Sequence, residues 1–313
     1  MKIFIEIPRW LGDAIMCTPA IENIIKSYPN AKITLFGSFI STTALKNHPN
    51  VKRVIIDESK NATLRAIWLY KMAKELGGFD ISFSFRQRFY PKLLSFFLDS
   101  KKKFIYKRTS NKPKHQVLRY NDFVNNSLNT TFKAGSLKLY FTPKKFPKKT
   151  LGLNPGATYG SAKRWYPDRF AKVAKELSHK YDIIIFGSQN EKKMADEIED
   201  FLKKHNIKNY QNLAGKTTIE DLISLIGGLD LFITNDSGPM HIAAAFKIPT
   251  IALFGPTKWY ETSPWQNKNA RIIKKDLPCM PCMKRSCPIK THQCMKDITA
   301  KDVLKEVEKL CKY

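Results

Sequence analysis

Leu231-Phe-Ile-Thr-Asn-Asp-Ser-Gly-Pro-Met-His-Ile-Ala-Ala-Ala245 decides the fold class of this chain. The apolar run from Leu229 to Thr234 reads as a parallel strand buried on both faces. It stops at Asn235-Asp-Ser-Gly238, and Pro239 to Phe246 reads as a helix. A strand that feeds a helix through a small polar turn presents N–H groups without intrahelical acceptors, at the positive end of the helix dipole. Such a turn suits a diphosphate. His241 lies three residues past Gly238 and can face the same ligand. The plainer alternative is that Asp236 and Ser237 cap the helix and His241 is a core residue.

The same alternation extends in both directions. Strands are predicted at 151–154, 182–186, 209–212 and 250–254, with helices at 167–179, 191–204, 218–226 and 300–310 between and after them. The first half repeats the pattern: strands at 2–7, 31–36, 51–56 and 80–85, helices at 14–28 and 62–76. Pro19 should kink the first helix or start a second one with Thr18 as its N-cap. Pro143-Lys-Lys-Phe-Pro-Lys-Lys149 reads as a linker, with two prolines, high charge and no periodicity. The fold class is therefore α/β, with two βαβ domains whose ligand lies in a cleft at the C-terminal edges of both sheets.

Composition narrows the partners. The chain has 313 residues, of which 54 are Lys or Arg and 27 Asp or Glu, giving a net charge of +27. That excess calls for an acidic partner (nucleic acid, a phosphorylated substrate or an anionic membrane surface) unless it is solvated surface alone. Arg86 to Tyr120 carries eleven Lys or Arg against one acid, Asp99, interleaved with Phe89, Tyr90, Phe104 and Tyr106. This stretch is expected to be irregular. Its mixture suits single-stranded nucleic acid or a phosphorylated glycolipid equally, but no RNA-binding motif accompanies it. The first residues are too short and too broken by Glu6 and Pro8 for a signal peptide, and no apolar run nears ~18 residues. Six Cys in a chain of this length point to reduced thiols in a cytoplasmic protein.

Three further constellations carry chemistry. Asn154-Pro-Gly-Ala-Thr-Tyr-Gly-Ser-Ala-Lys-Arg-Trp165 joins a strand to a helix. Gly156 and Gly160 would let backbone approach a ligand, Thr158 and Ser161 offer hydroxyls, and Lys163 offers a point charge for phosphate. It lacks the Gly-Lys-Ser/Thr of a Walker loop. Two phosphate-suited turns at one edge of one sheet reinforce each other. Asp13, in Leu-Gly-Asp after the first strand, could be a general base or merely the N-cap of the next helix. Cys279, Cys282, Cys287 and Cys294 have a metal-like spacing with His292 nearby, but only one C-x-x-C pair and three stiffening prolines; reduced thiols without metal are the default, zinc the alternative.

Together these residues resemble the ADP-heptose:lipopolysaccharide heptosyltransferase family, glycosyltransferase family 9. The resemblance spans nearly the whole chain. It rests on Leu11-Gly-Asp-Ala-Ile-Met-Cys-Thr-Pro-Ala20, Asn154-Pro-Gly-Ala157 with Ala162-Lys-Arg-Trp165, Phe186-Gly-Ser188, Leu213-Ala-Gly-Lys-Thr-Thr218, Asn235 to His241 and Phe254-Gly-Pro-Thr257. It implies GT-B architecture: residues 1–146 as an acceptor-binding and 147–313 as a donor-binding Rossmann-like domain facing a central cleft, the last helix being free to pack back on the first domain. It implies inverting transfer from ADP-L-glycero-β-D-manno-heptose without metal or other cofactor.

On that resemblance Asp13 is the general base, and Lys163 with the N–H groups around Ser237 and Gly238 stabilises the departing diphosphate. Asn154, Gly156, Thr158, Ser161, Asp236 and His241 would hold the donor, with Thr217 and Thr218 near the adenosine. Trp10, Gly12, Arg86 and Arg88 would meet the acceptor, a phosphorylated Kdo–lipid A core at the inner leaflet of the cytoplasmic membrane. The enzyme adding the second heptose is the member resembled most; first- and third-heptose enzymes are the alternatives. Lys216 departs from the family, which often has a less polar residue there. A nicotinamide-dependent oxidoreductase would need G-x-G-x-x-G where Arg9-Trp-Leu-Gly-Asp13 stands. A basic nucleic-acid-binding protein without activity would explain the charge but neither diphosphate turn.

Overall fold

The computed structural model describes residues 1–311, and the chain divides after Tyr140 into two units. The first contains β1 (Lys2–Glu6), α1 (Leu11–Met16), α2 (Thr18–Ser27), β2 (Lys32–Gly37), α3 (Phe39–Leu45), β3 (Val51–Ile56), α4 (Arg65–Glu75), β4 (Phe79–Ser84), α5 (Phe89–Phe97), β5 (Ser100–Ile105) and α6 (Gln116–Leu128). Its five strands are all parallel, in the order β3-β2-β1-β4-β5. The order reverses between β1 and β4, so their C-terminal ends open a switch-point crevice.

The second unit contains β6 (Thr150–Asn154), α7 (Pro167–Leu177), β7 (Asp182–Ile185), α8 (Lys192–Lys204), β8 (Tyr210–Asn212), α9 (Ile219–Gly227), β9 (Leu231–Asn235), α10 (Gly238–Ala245), β10 (Thr250–Leu253), α11 (Trp259–Thr262), β11 (Ala270–Ile273), α12 (Gln293–Lys296) and α13 (Ala300–Cys311). Its six parallel strands run β11-β10-β9-β6-β7-β8, with the switch between β6 and β9. Both central strands are buried at every residue, as strands covered on both faces are. Trp165, Phe170, Ile185 and Ile233 lie in the core with almost no exposure. Each such side chain contributes roughly 1.5–3 kcal/mol of transfer free energy. α13 packs on α7 and β11 of its own unit.

Several local expectations need correction. The stretch from Arg86 to Tyr120 is not irregular: it supplies α5, β5 and the start of α6. The lysines at 101–103 lie on edge strand β5, where charge blunts an open sheet edge. The first helix does break before Pro19, but Cys17 takes the N-cap position and Thr18 is already helical, its hydroxyl donating back to the Ile15 carbonyl at 2.8 Å. α3 and β11 lacked the periodic apolar signal and were missed. The segment through Pro143 has no helix or strand, yet Lys144 N–H donates to the Ser224 carbonyl at 2.8 Å, tying it to α9. Among the described residues no helix is long and apolar enough to cross a membrane.

Candidate active site

The two turns after β6 and β9 meet at the switch point of the second unit, and paired asparagines join them. Asn154 Nδ2 donates to the Gly156 carbonyl and the Ser237 hydroxyl, each at 3.2 Å. From the other side Asn235 Nδ2 donates to the Pro155 carbonyl at 2.7 Å, and its Oδ1 accepts from Trp165 N–H at 3.1 Å. Both side chains are buried, so their hydrogen bonds lock the turns in register.

Lys163 and Asp236 come together across that junction. Lys163 Nζ lies 2.6 Å from Asp236 Oδ2 and donates to the Asp236 carbonyl at 3.1 Å. Their side chains are 13% and 4% exposed. Thr257, after β10, also donates to Asp236 Oδ2, at 2.6 Å. Lys163 sits 4.8 Å from the centre of the Tyr159 ring. The capping alternative for this turn therefore fails for Asp236, whose carboxylate serves Lys163 and Thr257. Ser237 occupies the N-cap position of α10, but its side chain makes no capping bond. His241 is buried in the first turn of the same helix.

The two glycines of the β6 loop also make room for the chain itself. A Cβ on Gly156 would fall 2.1 Å from the Glu191 carboxyl carbon, and one on Gly160 would fall 2.2 Å from the Arg285 carbonyl oxygen. Close approach by the chain itself demands both. Glu191 is buried and accepts from both the N–H and the hydroxyl of Ser188 at 2.9 Å. Thr158 and Ser161 are exposed. Thr218 caps α9: its hydroxyl donates to Asp221 Oδ2 at 2.7 Å and accepts from Asp221 N–H at 3.1 Å, while Thr217 is half-buried beside it.

The cysteine segment clasps the Lys163 loop. The Arg285 carbonyl accepts from Ala162 N–H at 3.0 Å, Tyr159 donates to the Met283 carbonyl at 2.7 Å, and His292 Nε2 lies 2.9 Å from the Ala162 carbonyl. Cys279, Cys282, Cys287 and Cys294 line one small cavity with His292. Burial, then the neighbouring thiols, push Cys294 up to about 11. Among the described residues no three His, Cys, Asp or Glu side chains are arranged to hold a metal ion.

In the first unit Asp13 is the third residue of α1, not its cap; Trp10 holds the N-cap position and is exposed, and Gly12 is half-buried. Burial, reinforced by the Asp13 charge, raises the Cys17 thiol and the Tyr120 hydroxyl well above their ordinary values. Arg86 follows β4 and is held by two buried acids the sequence reading did not single out. It donates to Glu6 Oε1 at 2.7 Å and lies 3.6 Å from Asp57 Oδ2. Ser84 donates to Glu6 Oε2 at 2.5 Å. Burial outweighs Arg86 and raises the Glu6 carboxyl to about 7. Arg88, at the N-cap position of α5, is exposed. A charged Glu inside the apolar run Ile3-Phe-Ile-Glu-Ile7 was the available signal for Glu6.

Two units of parallel α/β architecture, the second with a lysine and two strand-to-helix turns converging at its switch point, define a GT-B type fold. The chain belongs to glycosyltransferase family 9 (heptosyltransferase), whose sequence profile matches residues 102–293. It is similar to lipooligosaccharide heptosyltransferase 2 of Campylobacter jejuni serotype O:6 (strain 81116), with 46% identity over 99% of each chain. Among solved structures, Escherichia coli ADP-heptose lipopolysaccharide heptosyltransferase II superposes with a TM-score of 0.83 at 24% identity, covering 99% of this chain and 98% of that one. E. coli heptosyltransferase WaaC with ADP gives a TM-score of 0.79 at 16% identity, covering 99% and 100%. The chain is thus a glycosyltransferase, and the reading as a nucleic-acid-binding protein without activity is set aside.

Proposed function

We propose that this enzyme transfers L-glycero-D-manno-heptose, with inversion, from ADP-heptose to the heptosyl-Kdo–lipid A inner core, adding the second heptose. The observation that carries the donor half is the Lys163–Asp236 pair, set at 2.6 Å between two turns at one switch point. A diphosphate there meets a lysine charge and the N-terminus of α10 together. Asp13 takes the proton from the acceptor hydroxyl as its oxygen bonds to the anomeric carbon. The bond from that carbon to the diphosphate breaks, and ADP leaves against Lys163 and the N–H groups at Ser237 and Gly238. Lys163 and the N-terminus of α10 donate to the leaving diphosphate as its charge develops, and transfer without a metal is the expectation of the family resemblance. The 46% identity to a lipooligosaccharide heptosyltransferase 2 favours the second heptose over the first or third.

Residues 1–146 bind the acceptor and residues 147–313 bind the donor. The enzyme works in the cytoplasm, held peripherally at the inner leaflet where the lipid acceptor resides; its net charge of +27 favours anionic lipid. The test pairs two measurements. ADP-heptose is offered with Kdo–lipid A acceptors bearing no heptose or one heptose, and mass spectrometry reads which gains a residue. Asp13→Ala is expected to abolish transfer with ADP affinity intact; near-normal turnover would remove Asp13 from its role.

A further inference from the structure

Exposed large apolar side chains concentrate on one helical pair of the first unit. α4 and α5 pack on each other and bury Leu69, Met72, Ala73 and Leu94. Their opposite sides leave Phe96, Phe89 and Ile67 exposed by 77%, 69% and 47%. Phe89 and Phe96 stand seven residues apart, on one stripe of α5. Tyr70 of α4 continues that stripe: its ring lies 5.4 Å from Phe97, which lies 5.7 Å from Phe96. Buried aromatic side chains are worth most when removed from water, so a strip left in the open calls for a cover.

The charges around the strip identify the cover. Lys74 sits 5.7 Å from the Tyr70 ring, and Lys103 donates to the Phe96 carbonyl at 3.2 Å. Lys92 lies on α5 between the two exposed phenylalanines, and α5 contains no acid. Protein–protein interface cores are depleted in lysine. Aromatic rings ringed by lysines suit a bilayer surface, where rings enter the headgroup layer and ammonium groups meet anionic lipid. We infer that the outer face of α4 and α5 is the surface by which this protein docks on an anionic bilayer. This deepens, and depends on, the peripheral-membrane reading above.

The experiment is flotation of the full chain with phosphatidylethanolamine–phosphatidylglycerol vesicles, phosphatidylcholine vesicles serving as control. The wild type should float with the anionic vesicles, less so at high salt. Phe89→Ser with Phe96→Ser should weaken the partition roughly tenfold or more, with the circular dichroism spectrum and ADP affinity unchanged. A double variant that floats like the wild type overturns the assigned face while leaving membrane association standing. Wild-type protein that ignores anionic vesicles overturns the peripheral-membrane reading itself. A variant that changes only the sedimentation state of the free protein marks the face as a protein interface and also overturns the inference.

Discussion

Removing the Lys163 side chain should unbalance a buried charge, and the structure sets the size of the effect. Asp236 is 4% exposed, and its Oδ2 has two donors, Lys163 at 2.6 Å and Thr257 at 2.6 Å. Breaking one partner from a buried ion pair costs about 3–5 kcal/mol, because the remaining charge stays desolvated. Thr257 keeps one hydrogen bond to that carboxylate, so Lys163→Ala should sit near the lower figure, about 3 kcal/mol. In an Asp236→Asn background the same truncation removes no counter-charge and should cost about 1 kcal/mol, leaving a coupling of about 2 kcal/mol. Urea unfolding of the four proteins, followed by tryptophan fluorescence at constant m, measures the cycle. A Lys163→Ala midpoint equal to wild type would refute the buried pair. A cost undiminished in the Asp236→Asn background would assign Lys163 to packing over Tyr159 instead. On the proposed reaction the same variant should lower kcat by roughly a hundredfold, as losing one donor at a developing anion does.

Other consequences are as direct. Glu6 is raised from 4.5 to about 7 in the folded protein, so the fold binds its proton more tightly than the unfolded chain does. That stability is present below pH ~4.5 and is lost as pH rises through ~7, by about 3 kcal/mol over the window. Glu6→Gln should flatten this part of the stability–pH curve measured by denaturation; an unchanged slope would show that Glu6 does not titrate there. Gly160→Ala places a Cβ 2.2 Å from the Arg285 carbonyl oxygen. Because the obstacle is backbone, it should destabilise by about 2 kcal/mol and weaken ADP binding in a titration.

What could be read from the sequence follows from which interactions are local. β9, its turn and α10 were legible because burial on both faces writes an unbroken apolar run, and the helix start writes Asn-Asp-Ser-Gly-Pro. β5 was not: it is the edge strand of its sheet, where Lys101, Lys102 and Lys103 replace the apolar pattern, and α5 before it, though apolar, is short and carries Pro91 in its first turn. Gly156 and Gly160 were recognised as special, but the tertiary contacts that leave no room for a side chain were not legible. The partners are Glu191 and Arg285, thirty-five and one hundred twenty-five residues away. Glu6 was visible as a charge in an apolar strand, whereas its partners Asp57 and Arg86 come from the ends of other strands, an adjacency only sheet order supplies.

The same distinction explains the cysteine segment. Spacing alone posed a choice between metal ligands and inert thiols, and neither states what the segment does for the site. The segment anchors the loop through backbone and side chain together: Met283 and Arg285 offer carbonyls to Tyr159 and Ala162, and the His292 ring bridges the Ala162 carbonyl and the Tyr166 hydroxyl. Lys163 lies between those anchored positions, so the loop that carries the charge is held from outside as well as by Asn154 and Asn235 from within. A lysine on a long flexible stem is otherwise a poor point charge to preorganise. Anchoring its backbone on both sides and pairing its ammonium with Asp236 fixes where the ammonium stands, so on the proposed reaction it would meet a departing diphosphate with little reorganisation.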